Sequence, residues 1–163
     1  MKELNYKVSF YIKMKTQKSC IRKIKHGKNF NVVEPVNLYE CKFGDNVFVG
    51  PFVEITKGVK IGDNTRISSH SFICELVTIG KNCFIGHGVM FTNDKFKSGK
   101  LGGNKKNWFS TNIEDGVLIG SNSTILPVKI KSGTVIGAGS VVTKDIIKKG
   151  VYAGNPAKWI KKI

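Results

Sequence analysis

A six-residue spacing of large apolar residues constrains the fold of this 163-residue chain more than any other feature. Stepping by six from Phe43 reaches an aliphatic or aromatic residue at every step as far as Phe91. A period of six matches neither the 3.6-residue turn of an α-helix nor the heptad of a coiled coil. Each hexad therefore predicts one short strand and one corner. The series is Phe43, Val49, Ile55, Ile61, Ile67, Ile73, Ile79, Ile85 and Phe91.

Two further columns support a coiled strand arrangement. Small or β-branched residues stand four positions after each apolar residue, and both columns are predicted to face inward. Residue types that tolerate positive φ stand three positions after it, as corners require. Three hexads close a triangle, so about 18 residues make one coil and stack at the spacing of neighbouring strands. The inward column is Val47, Val53, Val59, Thr65, Ser71, Val77, Cys83 and Val89, and the corner residues are Asn46, Gly58, Asn64, Asn82, Gly88 and Asp94.

One interruption breaks the repeat. After Phe91 the next inward aliphatic residue is Ile113, and the pattern then resumes as far as Val142. Residues of about 92–112 are therefore predicted to leave the coil as a loop. Because ordering such a loop costs conformational entropy in an otherwise economical solenoid, we expect it to serve function.

The remaining segments complete a single domain, as the chain length suggests. The coil is predicted over residues 31–145. Residues 1–30 lack the repeat and are assigned as an N-terminal cap. Residues 146–163 are predicted to form a turn followed by a short helix, with Trp159 and Ile160 on one face.

Composition narrows the classes of partner. The chain has 27 basic and 11 acidic residues, a net charge of +16, but nearly all the basic residues are lysines. With only Arg22 and Arg66 able to read guanine bidentately, and no basic helix, nucleic-acid binding is not expected. No apolar run approaches the roughly 20 residues of a membrane span. The four cysteines form no C-x-x-C pair, which indicates reduced thiols and a cytoplasmic protein.

The hexads resemble the hexapeptide-repeat family of left-handed parallel β-helices, most of which are acyltransferases using acetyl-CoA or a related thioester. The segments IGAGSVVTKD (136–145) and AGNPAK (153–158) are similar to the family's ending. The resemblance implies acetyl-CoA along the last coils and a homotrimer with active sites between subunits. The implied cofactor-binding residues are Gly120, Ala138, Gly139, Lys144, Asn155, Pro156 and Lys158.

Within that family, three segments resemble the nucleotide-linked amino-sugar N-acetyltransferases of bacterial surface polysaccharide and lipopolysaccharide biosynthesis. They are GPFVEI (50–55), SSHSFICE (68–75) and GHGVMFTND (86–94). The resemblance implies acetylation of the 3-amino group of a nucleotide-linked aminodeoxy sugar, with dTDP preferred to UDP and no metal. Trp108 resembles the same subgroup; its ring would stack on a base, although packing on its own coil explains it equally well.

Asn93 and Asp94 stand where the sugar and maltose O-acetyltransferases of this fold carry a histidine. An alcohol must lose a proton to attack a thioester and usually needs such a base, whereas a neutral amine is already nucleophilic. Asn93 can hold the acceptor or the thioester carbonyl but is no general base, and Asp94 can attract an ammonium group. The pattern favours an amine acceptor.

Stacking by one coil places Ser69 beneath His87 and His70 beneath Gly88, so the two imidazoles share one corner. His87 is therefore the third catalytic candidate, beside Asn93 and Asp94. His70 also occupies a corner position that favours histidine for conformational reasons alone. The candidate substrate-binding residues are Phe52, His70, Glu75 and Trp108.

Three alternatives remain at this point. The nearest is O-acetylation of a sugar hydroxyl. A zinc hydratase on the same fold needs three converging histidines, and the chain offers only His26, His70 and His87. A non-catalytic β-helix is the third, although it would not need the long loop.

Overall fold

The protein is a triangular parallel β-solenoid. The computed structural model describes residues 20–96, 99 and 105–163, so residues 1–19 of the cap predicted over residues 1–30 lie outside the described part. Strands of two to four residues alternate with corners, and every strand except the last pairs in parallel with strands one coil away. The predicted fold class, a left-handed parallel β-helix, is confirmed. Within the described ranges no helix has the length and apolarity needed to cross a bilayer.

Three flat faces make up the prism, and we name them A, B and C. Face A holds β1 (Ile21–Arg22), β3 (Asn37–Tyr39), β6 (Glu54–Ile55), β9 (Phe72–Ile73), β12 (Met90–Phe91), β15 (Thr124–Ile125) and β18 (Val141–Val142). Face B holds β4 (Lys42–Phe43), β7 (Lys60–Ile61), β10 (Val77–Ile79), β13 (Thr111–Ile113) and β16 (Lys129–Ile130). Face C holds β2 (Asn31–Val32), β5 (Phe48–Val49), β8 (Arg66–Ile67), β11 (Phe84–Ile85), β14 (Leu118–Ile119), β17 (Val135–Ile136), β19 (Val151–Ala153) and β20 (Lys158–Lys161).

Both inward columns predicted from the hexads form the core. Every member from Phe43 to Phe91 is buried, as is every member of the second column from Val47 to Val89. Neighbouring coils align these positions, for example Ile61 against Ile79 and Ile67 against Ile85. The core is therefore a stack of aliphatic layers inside the prism.

The predicted corners adopt positive φ, with one exception. Asn46, Asn64 and Asn82 have φ values of 55°, 56° and 55°, and their side-chain amides form a hydrogen-bonded ladder along one edge. Gly58 and Gly88 also have positive φ. Asp94 does not, because the chain leaves the coil there to begin the inserted loop, so that prediction is wrong.

The coil begins earlier than residue 31. Strand β1 already pairs with β3, with Ile21 opposite Leu38 and Arg22 opposite Tyr39. These partners are 17 residues apart, so the first coil is out of phase with the later 18-residue spacing. The six-residue search missed it for that reason.

The predicted C-terminal helix is wrong. Residues 158–161 form β20, which pairs antiparallel with β19 and brings Trp159 opposite Tyr152. A helix of so few residues has little stability of its own, whereas the open edge of face C offers ready backbone partners. Between β19 and β20 the chain turns through the cis peptide bond Asn155–Pro156.

Candidate active site

A cavity of about 400 Å³ lies between face A and the inserted loop. Thr56, Cys74 and Thr92 line it from three successive coils, each directly after a strand of face A. Phe96 and Trp108 line it from the loop. The full lining is Tyr39, Thr56, Phe72, Cys74, Glu75, Phe91, Thr92, Asn93, Asp94, Phe96 and Trp108.

Backbone contacts tie the two ends of the inserted loop together. Asp94 and Trp108 form an isolated antiparallel bridge, and the Phe109 amide donates to the Asn93 carbonyl at 2.8 Å. The loop leaves after Phe91 and returns at Thr111, slightly before the predicted end. The loop is therefore closed at its base on the corner that follows face A.

An ion pair fastens the loop to the coil. The Lys105 ammonium, on a short 3₁₀ helix (Lys105–Asn107), lies 2.9 and 2.8 Å from the two carboxylate oxygens of Glu75. The same ammonium lies 5.2 Å from the centroid of the Trp108 ring, within cation–π range. Glu75 thus links the cavity wall to the loop.

Asn93 and Asp94 are held at the mouth of this corner. The Asn93 side-chain amide donates to the backbone carbonyl of Glu75, one coil away, at 3.4 Å. One carboxylate oxygen of Asp94 accepts the Phe96 amide at 2.7 Å. Both functional groups therefore have fixed orientations toward the cavity they line.

Burial and nearby carboxylates set the electrostatics of the inner wall. Burial raises the pKa of the Tyr39 phenol, the Glu54 and Glu75 carboxylates raise it further, and Arg22 and the Thr56 hydroxyl oppose them. Burial also raises the pKa of the Cys74 thiol to about 11. These two groups are therefore neutral at physiological pH.

The structure divides the predicted site residues between two corners of one chain. Asn93, Asp94, Glu75 and Trp108 come together around the cavity. The other three, His87, His70 and Phe52, lie at the corner between faces C and A and do not line it.

The corner between faces C and A is held by hydrogen bonds and by stacking of two rings. The Nδ1 atom of His87 lies 2.8 Å from the Ser69 hydroxyl, and the His87 backbone amide donates to the Ser121 hydroxyl at 3.1 Å. The Phe52 and His70 rings stack with centroids 4.8 Å apart. Both histidines are exposed, and His70 has the positive φ, 62°, expected of that corner.

The predicted cofactor residues lie at the end of the prism. Ala138 and Gly139 form the last corner between faces C and A, and the turn through Asn155 and Pro156 folds over it, with the Gly154 amide donating to the Ser140 hydroxyl at 3.1 Å. Lys144 and Lys158 are exposed nearby in the chain. Gly120 has a packing reason as well, since a Cβ there would stand 2.4 Å from the Ala138 backbone nitrogen.

Metal-ligating side chains are scattered. In the described ranges no three His, Cys, Asp or Glu side chains are grouped to hold a metal ion. The zinc hydratase alternative draws its ligands from more than one subunit, so it stays an untested alternative.

Comparison with known families covers both sides of the inserted loop. Residues 40–75 match the family described as "Bacterial transferase hexapeptide (six repeats)". Residues 76–90 and 111–144 match "Hexapeptide repeat of succinyl-transferase". The chain belongs to the hexapeptide-repeat family. The unmatched interval, 91–110, coincides with the loop that closes the cavity.

Curated relatives of this hexapeptide-repeat protein are much longer than it is. It is 43% identical over 54 residues to the bifunctional protein GlmU of Limosilactobacillus fermentum, covering 33% of this chain and 11% of GlmU. It is 37% identical over 101 residues to GlmU of Carboxydothermus hydrogenoformans, covering 57% of this chain and 22% of that protein. The chain thus spans about a fifth or less of each.

Solved structures with the same fold include transferases with different acceptors. A mutant of AntD, an N-acyltransferase from Bacillus cereus, in complex with dTDP-4-amino-4,6-dideoxyglucose and coenzyme A, superposes with a TM-score of 0.76 at 22% identity, covering 86% of this chain and 83% of AntD. The acetyltransferase domain of PglB from Neisseria gonorrhoeae, with acetyl coenzyme A, gives 0.62 at 18%, covering 84% and 57%. A maltose O-acetyltransferase from Clostridium difficile 630 gives 0.53 at 27%, covering 84% and 68%.

Sequence reasoning missed seven of the eleven residues that line the cavity of this hexapeptide-repeat protein. The lining residues that were not site candidates are Tyr39, Thr56, Phe72, Cys74, Phe91, Thr92 and Phe96. A signal did exist: three of them directly follow Ile55, Ile73 and Phe91 of the inward column, one coil apart, beside the interruption. In this fold, residues that directly follow the inward column beside an inserted loop are therefore candidates for lining a site.

Proposed function

We propose that the protein transfers an acetyl group from acetyl-CoA to the amine of a nucleotide-linked aminodeoxy sugar. The observation that carries the proposal is the lining of the cavity, which places the Asn93 amide beside the Asp94 carboxylate, while the Glu75 carboxylate is occupied by Lys105. None of the described lining residues is a histidine. Such a site suits an amine, because carboxylates attract its protonated form and no strong base is needed to make it nucleophilic.

The reaction needs few protein groups. The neutral amine attacks the thioester carbonyl carbon, a C–N bond forms, the C–S bond breaks, and the CoA thiolate departs. The amine proton leaves late, to that thiolate or to water. Asn93 holds the acceptor or the thioester carbonyl by hydrogen bonds, and Asp94 draws the ammonium form of the acceptor into the cavity.

The identity of the sugar is the finer part of the proposal. We take the 3-amino group of a dTDP-sugar as the first candidate and a UDP-sugar as the second, in surface-glycan synthesis in the cytoplasm. The N-acyltransferase AntD supports a dTDP-linked amino sugar, although the amine of its ligand is on C4. Both amine positions therefore belong in the test.

Acetyl-CoA is proposed to bind at the last coils, as the similarity of residues 136–145 and 153–158 to the ending of the hexapeptide-repeat family implies. The AntD and PglB structures contain coenzyme A and acetyl coenzyme A, respectively, which supports this donor. The proposed assembly is a homotrimer with active sites between subunits. The proposed donor-binding residues are Gly120, Ala138, Gly139, Lys144, Asn155, Pro156 and Lys158.

O-acetylation of a sugar is the second candidate. It is favoured by the His87–Ser69 hydrogen bond, because a hydroxyl that fixes an imidazole is a common arrangement for a general base. In that case His87, rather than Asn93, would be essential for turnover.

Product mass spectrometry tests both candidates. The protein is incubated with acetyl-CoA and dTDP- and UDP-linked 3-amino and 4-amino sugars, each beside its hydroxyl counterpart. We expect one added acetyl group on an amino sugar only. Acetylation of the hydroxyl sugars, with loss of activity in His87→Ala, would establish O-transfer instead.

A matched pair of variants tests the roles of the residues. Asn93→Ala should lower kcat/KM by about a hundredfold, since it removes a hydrogen bond made at the reacting centre. Asp94→Asn keeps the shape of the side chain and should raise KM mainly by weakening ammonium capture. Unchanged turnover in Asn93→Ala would remove Asn93 from the mechanism.

A further inference from the structure

The last coil of the prism ends in a surface that is both apolar and basic. Ile147, at the corner that follows face B, is 84% exposed, and Trp159 and Ile160 on β20 are 46% and 54% exposed. Residues 144–163 hold six lysines, all exposed, and one carboxylate side chain, Asp145. One oxygen of that carboxylate already accepts a backbone amide at 2.8 Å. Most of the positive charge of this segment therefore has no local counter-charge.

Contacts join the corner at Ile147 and strand β20 into one surface. The Lys148 ammonium lies 5.3 Å from the centroid of the Trp159 ring, within cation–π range. The Tyr152 hydroxyl, on the neighbouring strand β19, donates to the Lys148 carbonyl at 2.9 Å. We call this group the end surface, and it consists of Ile147, Lys148, Trp159, Ile160, Lys161 and Lys162.

Strand β20 gives the end surface a free edge. It is the outermost strand of face C, and its other edge pairs with no strand among the described residues. Successive side chains of a strand point to opposite sides, so Trp159 and Ile160 flank this free edge. A partner that approaches the prism end-on therefore meets apolar side chains, ammonium groups and unpaired backbone amides together.

The lysines decide among possible partners. A second copy of the chain is disfavoured, because pairing two such edges brings like charges together and lysines on an edge strand oppose strand addition. An anionic lipid bilayer suits all three properties of the surface. Its headgroups attract ammonium groups, its interface accommodates tryptophan, and its phosphate oxygens accept hydrogen bonds from backbone amides. Lysine stems lie along such an apolar boundary while their ammonium groups reach the phosphates.

We infer that the end surface docks the protein on the anionic headgroups of a lipid bilayer. Ile147, Trp159 and Ile160 enter the interface, and Lys148, Lys161 and Lys162 contact lipid phosphates. This is a peripheral attachment, so it needs no membrane span. Strand β12, the last of face A that contributes to the cavity, lies two strands before the end of that sheet, a distance of about 10 Å. The cavity therefore stays outside the bilayer when the prism stands on its end.

Vesicle flotation provides the main test. Phosphatidylcholine vesicles with roughly a third of phosphatidylglycerol should carry the protein with them at low salt, and phosphatidylcholine vesicles alone should not. Lys161→Gln combined with Lys162→Gln should weaken binding about twenty-five-fold, which is about fivefold for each lysine. Ile147→Ser should weaken it about tenfold, because an apolar side chain no longer leaves water on binding. Lys144 and Lys158 are left unchanged, since they are proposed to bind acetyl-CoA.

The matched control removes the same charge at the opposite end of face B. Lys42→Gln combined with Lys60→Gln changes two exposed lysines there and should weaken binding less than about twofold, since those charges lie beyond the screening length. All variants should keep the wild-type melting temperature, because the replaced side chains are exposed. Equal weakening in the two double variants would show attraction by net charge alone and overturn the inference, as would failure of the wild type to bind anionic vesicles.

Tryptophan emission gives a readout that charge alone would not change. Lipids with brominated acyl chains should quench part of the emission of the bound protein, and Trp159→Phe should abolish the quenching, because Trp108 stays with the cavity. Soluble polyglutamate tests an acidic protein partner. If polyglutamate binding depends on Lys161 and Lys162 while bound vesicles leave Trp159 unquenched, the partner is an acidic peptide and the inference is wrong.

Discussion

Three of the four cysteine thiols are buried in the coil. Cys41 and Cys83 belong to the core, and Cys74 lines the cavity. Loss of hydration disfavours a thiolate, so burial raises the pKa of Cys41 and Cys74 to about 11 and also raises that of Cys83. All four cysteines are free, and Cys20 is only half-buried.

Because the thiolate is the reactive form, the four cysteines of the native protein should react at different rates with an aromatic disulfide reagent at pH 8. We expect Cys20 to react first, and Cys41, Cys74 and Cys83 to react only as the protein unfolds. Absorbance of the released thiol against time measures this, with a guanidinium-denatured sample giving all four. Rapid reaction of several thiols in the folded protein would contradict the burial described above.

The corner asparagines show how far single residues can be predicted. Asn46, Asn64 and Asn82 were expected at positive φ from residue type and spacing alone, and the structure confirms them. Asp94 belongs to the same pattern yet departs from it, because the conformation of a corner depends on where the chain goes next. Local preference was sufficient only where the coil continued.

The inserted loop is the element on which the site depends. It supplies Phe96 and Trp108 to the cavity, and the contacts that hold its described residues in place include the Asp94–Trp108 bridge at its base and the Lys105–Glu75 ion pair with the coil. The Lys105 side chain is largely exposed, so this pair contributes little to global stability, about 1 kcal/mol or less. Its main effect is on the position of the loop.

Lys105→Met should therefore leave the melting temperature nearly unchanged while loosening the loop. The expected signs are a red shift of Trp108 fluorescence and faster proteolytic cleavage within residues 95–107. Trp159 also emits, so Trp159→Phe should be the background for both samples. Lys131→Met, which removes a comparable exposed pair with Glu114 far from the cavity, is the control and should change neither signal.

Elements were predictable where the repeat was regular. The apolar columns from Phe43 to Phe91 located nearly every strand in that interval, since the period of the pattern is also the period of the coil. The first coil was missed because the step from Leu38 to Phe43 is five residues, which ends the six-residue series there. Strand β20 was missed because it pairs at an antiparallel edge. The position of Lys105 against Glu75 depends on a tertiary contact that no local pattern contains.

At the scale of the whole molecule, the excess of positive charge is expected to govern how stability depends on pH. A net charge of +16 means that exposed ammonium groups repel one another across the prism. Exposed carboxylates oppose this locally: the pKa of Asp63 is lowered by Lys81 and that of Glu40 by Lys57. Hydrogen bonding to the Ser132 amide lowers the pKa of Glu114.

Stability should fall as the medium becomes acidic. A carboxylate whose folded pKa lies below its unfolded value stabilises the fold above the unfolded pKa, near 4, and loses that contribution as the pH drops through the folded pKa. We expect the melting temperature to decrease between pH 5 and pH 3. Addition of 0.3 M salt should partly restore it, because the Debye length then falls to about 6 Å and the repulsion between exposed charges is screened.

Thermal unfolding across that pH range provides the measurement. Asp63→Asn keeps an acceptor for the Asp45 amide but does not titrate, so it should show a shallower decrease than the wild type. A melting temperature independent of pH, or lowered by salt at pH 4, would show that charge repulsion does not control how stability depends on pH.

The pairing of Asp94 with Trp108 has an evolutionary consequence. Because the two ends of the loop leave and rejoin the prism side by side, the segment between them can change in length or sequence while the register of the coils stays the same. The coils then keep a constant structure while the inserted loop varies. Descendants of one such chain can therefore acquire differently lined cavities through changes in the loop alone, while the coils keep their fold.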